Sequence, residues 1–103
     1  MNVLENLEPK AVFHYFEEIC QIPHGSGNMD KISSYLEQFA KDRRLFHIRD
    51  KADNVIIVKE ATAGYEDVEP IILQGHMDMV AVKTADCDID LGKDALRLKT
   101  DGD

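Results

Sequence analysis

Apolar and polar positions change their period twice along this chain. From Pro9 to Gln21, Val12, Phe13, Phe16, Ile19 and Cys20 recur at helical spacing and predict a helix with one apolar face. Pro9 suits the first helical position, and Ile22-Pro23 ends the element because the residue before a proline avoids helical angles. Ile32, Tyr35, Leu36, Phe39 and Ala40 predict a second helix, with Ser26 or Asn28 as its cap. The basic run Lys41-Asp42-Arg43-Arg44 complements the negative end of that helix. The period then shortens to two. Residues 45–49 alternate as a strand, with His47 expected on the wetter face, and 50–53 make a turn. Residues 54–59 read as a more buried strand paired antiparallel to the first.

A charged surface loop over 60–69 leads to Pro70-Ile71-Ile72-Leu73-Gln74-Gly75, expected to be the inner strand of a mixed sheet. Residues 95–99 alternate again, and Asp101-Gly102 is a hairpin turn signal with no second strand after it. The expected fold class is therefore α/β, with two helices and a mixed β-sheet in one modest domain. The unfinished hairpin suggests a stretch cut from something longer.

Composition narrows the range of partners. The chain has 103 residues, with 12 basic and 20 acidic side chains and a formal net charge of -8. That balance argues against nucleic acid and against an anionic membrane, since both need clustered Lys and Arg. Two cysteines, Cys20 and Cys87, lie far apart and outside any C-x-x-C spacing, so nothing points to a disulfide framework. The first residues lack the basic start and apolar core of a signal peptide, and no apolar run reaches the length of a membrane span. A cytoplasmic protein is expected.

Candidate chemistry gathers at the end of the apolar run. His76 and Asp78 are two residues apart, so in an extended backbone they project to the same side. The carboxyl ends of strands are where open α/β folds place their sites. Gly75, just before them, allows close approach or an unusual dihedral. The plainer alternative is a histidine that hydrogen-bonds Asp78 and does nothing else.

Elsewhere the chemistry is thinner. His24-Gly25-Ser26-Gly27-Asn28 reads as helix capping, or as an anion loop that lacks the lysine of a phosphate-binding loop. The acidic segment 86–94 departs from a calcium loop: Gly92 falls one place late, and Arg97 stands where glutamate is needed. It reads as a solvated loop. His14 sits near the edge of the first helix's apolar face, as a packed or solvent-exposed histidine; His24 can line a pocket.

Several blocks carry a resemblance. Leu7-Glu8-Pro9, Gln21-Ile22-Pro23-His24-Gly25-Ser26-Gly27-Asn28, Asn54-Val55-Ile56-Ile57 and Ile72-Leu73-Gln74-Gly75-His76-Met77-Asp78-Met79-Val80 together resemble the aminoacyl-histidine (Xaa-His) dipeptidases. These belong to the larger zinc metallopeptidase family of dipeptidases, carboxypeptidases and aminoacylases. The resemblance implies that His76 ligates one metal of a two-zinc site, with cobalt or manganese as alternatives to zinc. It implies that Asp78 is an active-site residue supporting that histidine, a role that fixes the imidazole tautomer. It implies a small dipeptide as substrate.

The family's bridging aspartate, its Glu-Glu pair with the general base, and its dimerisation domain correspond to positions beyond Asp103. Ala81-Val82-Lys83 departs from relatives, which often carry cysteine and glutamate there. The chain is thus expected to be the N-terminal portion of a peptidase catalytic domain, inactive by itself and open to self-association through uncovered apolar surface. The alternative is a non-enzymatic α/β interaction or regulatory domain that kept the fold.

Overall fold

The helical periods give two helices. The computed structural model describes residues 2–102, with α1 over Lys10–Cys20 and α2 over Asp30–Asp42. Pro9 caps α1 with extended angles, one place before the position expected for it, and its carbonyl accepts from the Phe13 N–H at 3.3 Å. The strand signals over 46–58 give β1, Phe46–Arg49, and β2, Val55–Val58, paired antiparallel with Phe46 opposite Val58 and Ile48 opposite Ile56. The fold is α/β, with two helices and a two-stranded antiparallel sheet. Two compact units make up the chain: one holds the residues up to Ile32 and those from Asp78 on, the other Ser33–Met77.

In the first unit, the face of α1 that periodicity marks turns inward only in part: Cys20 is buried and Phe13 and Ile19 half-buried, with Glu17 beside them. Glu17 is itself buried, while Val12 and Phe16 are exposed. The cause is a polar bond: the Glu17 carboxylate accepts the Leu4 N–H at 3.0 Å and the Val3 N–H at 2.8 Å. These donors, Leu4's first, hold the Glu17 carboxyl below the usual glutamate value. The second stretch of the unit is tied in by single bonds rather than by a sheet. The Leu96 N–H reaches the Cys20 carbonyl at 2.8 Å; within the stretch itself, the Lys83 ammonium reaches the carbonyl of buried Ile89 at 2.5 Å. Residues 96–99 alternate in burial, but the stretch forms no strand, because no described residue pairs with it along its length. The acidic loop folds on itself, with Asp90 accepting the Gly92 N–H and Asp94 the Asp90 N–H. Both cysteines are free, and burial pushes the Cys20 thiol up.

In the second unit, α2 ends in a Schellman motif. Arg44 takes the left-handed conformation at φ 55°, Leu45 donates to the Ala40 carbonyl, and Arg44 to that of Lys41. The hairpin turn is built by Asp50, whose carboxylate accepts the N–H groups of Ala52 and Asn54 and the Asn54 amide. Those bonds, the Asn54 amide's first, hold Asp50 below the usual aspartate value.

The hairpin presents its faces the opposite way from expectation. His47 and Arg49 are half-buried, whereas Phe46, Ile48, Ile56 and Val58 are exposed. Arg49 decides this. Its guanidinium bonds the Asp53 carboxylate at 2.8 Å and the Ser34 hydroxyl at 2.9 Å, and it lies 3.6 Å from Glu37 on α2. Glu37 is also 3.8 Å from His47, and Ser33 donates to the Asp53 carbonyl. A polar network therefore joins helix to hairpin, and β2 is half-buried on one face only.

Residues 70–75 correct the central expectation. They form no strand, and Ile71, Ile72 and Leu73 are 86%, 87% and 93% exposed. A strand exists only through the ladder it makes with a neighbour, and no described residue pairs with this run. The 60–69 loop is exposed as expected.

Candidate functional site

The glycine-flanked stretch and the His-x-Asp stretch bear on one another through Asp78. Gly25 and Met79 form an isolated parallel bridge: the Ser26 N–H donates to the Met79 carbonyl at 3.2 Å, and the Met79 N–H to the His24 carbonyl at 2.9 Å. This bridge brings the Ser26 hydroxyl to Asp78, where it donates to Oδ2 at 2.6 Å.

The glycines explain why the chain can do this. Gly25 is buried, and a Cβ on it would stand 2.9 Å from the Ala81 Cβ, so only glycine permits the approach. Gly27 has φ +80°, and the Asn28 N–H returns to the Gly25 carbonyl at 2.8 Å. Residues 25–28 thus close a turn whose third position needs a positive φ. The Asn28 amide donates onward to the Gly92 carbonyl at 3.2 Å.

Neither Ser26 nor Asn28 serves as the expected cap. Helix α2 begins at Asp30, too far along for the Ser26 side chain, and both residues direct their side chains to the later stretch of the unit. The link from Ser26 to Asp78, 52 residues apart, has no signature in periodicity. The signal available was two short polar blocks, each containing a glycine that helix formation does not use.

The histidines are dispersed. His76 is exposed and belongs to the second unit, while Asp78 is half-buried in the first. The ladder expected to align them is absent over 76–78; the bridge is at Met79. A Cβ on Gly75 would meet nothing within 4 Å, and the residue has no left-handed φ, so the roles expected of it are not used here. His24 is buried, its Nδ1 2.6 Å from the Ile22 carbonyl. His14 is exposed on α1, 3.1 Å from Glu18. Among the described residues, no three His, Cys, Asp or Glu side chains gather as a metal would require. A histidine nitrogen and a carboxylate are donors of the kind zinc takes, but a catalytic zinc needs three protein ligands.

No family model matches the sequence. The cytosol non-specific dipeptidase of Escherichia coli (strain K12) is 38% identical over 104 residues, covering 100% of this chain and 21% of that protein. The crystal structure of aminoacylhistidine dipeptidase from Vibrio alginolyticus matches with a TM-score of 0.90 at 34% identity, over 96% of this chain and 20% of that one. This chain is dipeptidase-like along its whole length. The resemblance read from the four sequence blocks therefore holds, and the chain spans about a fifth of the length of the relatives it matches. No helix among the described residues of this dipeptidase-like stretch is long and apolar enough to cross a membrane.

Proposed function

We propose that this stretch is the N-terminal portion of the catalytic domain of a cytoplasmic, metal-dependent dipeptidase that hydrolyses Xaa-His dipeptides. The observation that carries the reading is likeness across nearly the whole chain, in sequence and in backbone, to two proteins named as dipeptidases. Within it, His76 is a metal ligand and Asp78 the active-site carboxylate that supports it, as the resemblance implies. Zinc suits the nitrogen and oxygen donors, with cobalt or manganese able to take the same ligands. A metal held there supplies polarisation of the scissile carbonyl and a bound water of lowered pKa.

The share contributed by this stretch is one imidazole and one oriented carboxylate. The remaining ligands and the general base come from residues outside it. The 103-residue chain is accordingly inactive by itself, and its partners are a small dipeptide and, through exposed apolar residues, further copies of itself.

The test uses the full-length protein that carries this stretch, assayed on glycyl-histidine. His76→Ala removes at least one metal by elemental analysis and nearly all turnover. Asp78→Asn keeps the shape of the side chain and lowers turnover or metal affinity about 10–100-fold. Full turnover with both substitutions in place refutes the assignment and leaves the non-enzymatic reading standing.

A further inference from the structure

We propose that Ser26 is a positioning residue for Asp78: its hydroxyl, held at the corner of a glycine-built turn, fixes the orientation of that carboxylate. The role rests on the reading of Asp78 as an active-site carboxylate.

The Ser26 Oγ to Asp78 Oδ2 distance of 2.6 Å is that of a hydroxyl donating to a carboxylate oxygen. Such a bond orients its acceptor only if the donor is itself held, and here the donor is held from both sides. On one side, the bridge between Gly25 and Met79 sets the register of the two segments, and the Ala81 Cβ lies so close that only glycine fits at position 25. On the other, the turn closes from Asn28 to Gly25, and the Asn28 side chain is tied to the Gly92 carbonyl. The hydroxyl has no helix to cap, since α2 starts only at Asp30. A carboxylate offers about four acceptor sites, so the Ser26 hydroxyl takes up only part of what Asp78 can accept. Ser26 is exposed, so water competes with the bond and can partly replace it. The expected effect of removing the hydroxyl is therefore partial.

The experiment is a double-mutant cycle in the full-length protein, read by steady-state kinetics on glycyl-histidine and by zinc affinity of the apoprotein in chelator competition. Ser26→Ala lowers kcat/KM about tenfold, chiefly in kcat, and weakens zinc in parallel. Ser26→Thr, which keeps the hydroxyl, recovers to within about threefold of the parent. In the Asp78→Asn background, Ser26→Ala produces no further loss, because its effect runs through Asp78. Losses that multiply in the double variant, or a Ser26→Thr protein as impaired as Ser26→Ala, overturn the role of Ser26 while leaving Asp78 in place. If His76→Ala and Asp78→Asn are each silent, the dipeptidase reading itself has failed, and the role of Ser26 falls with it.

Discussion

Two neighbouring stretches, 70–75 and 78–81, reverse what their composition suggests. Ile71-Ile72-Leu73 is strongly apolar, yet it is exposed and forms no ladder with any described residue. Asp78-Met79-Val80-Ala81 is more polar at its start, yet it is bridged to Gly25, bonded by Ser26 and packed against a glycine. Apolarity makes burial favourable but supplies no partner; the bridge exists because a glycine loop elsewhere in the unit has the right shape. Extended backbone belongs to pairs of segments. The same holds for β2, which is a strand because the Asp50 turn delivers β1 to it within a few residues.

The sharpest test of this contrast is a pair of glycine substitutions. Gly25→Ala drives a Cβ to 2.9 Å from that of Ala81, so it should destabilise by about 1–3 kcal/mol in denaturant melts. The Met79 amide should then lose hydrogen-exchange protection. Gly75→Ala meets nothing within 4 Å and should be neutral or stabilising, by less than about 1 kcal/mol. Equal losses at both positions would erase the distinction between the stretches.

A second pinned element in the first unit depends on pH. The Glu17 carboxyl lies below its ordinary value because the Leu4 and Val3 N–H groups bond its ionised form. Its stabilising contribution is complete above the unfolded-state value and is lost as pH falls through the lower folded-state value. Glu17→Gln should therefore lower Tm at neutral pH, and the gap from the parent should close on acidification below the ordinary glutamate range. A gap that stays constant or widens would assign the effect to shape rather than charge.

The smallest effect is expected at the exposed run. Ile72→Ser should change the stability of this chain by no more than about 0.5 kcal/mol, because the side chain is already 87% exposed. It should also reduce concentration-dependent association in sedimentation velocity, since contiguous exposed apolar side chains favour contact between copies. A large loss of stability would mean that Ile72 is covered in solution.

Local patterns were legible because they are local. The 3.6-residue period, Pro23 after Ile22 and the Asp50–Asn54 turn each act within a few residues, and α1, α2 and the β1–β2 hairpin followed from them. The four sequence blocks also sufficed for the likeness to dipeptidases, because particular side chains in order are a property of sequence.

What the sequence could not decide is which face of an element turns inward and which distant segments touch. Periodicity marked Phe46 and Ile48 for burial. Arg49 turned the hairpin the other way: its charge-assisted bond to Asp53 holds it within the hairpin turn, and its contacts with Ser34 and Glu37 exist only when that face meets α2. The meeting of Ser26 with Asp78 was likewise decided by tertiary structure alone. It depends on the space beside Gly25 and on a bridge between segments far apart in the chain, and neither leaves a trace in the spacing of residues along it.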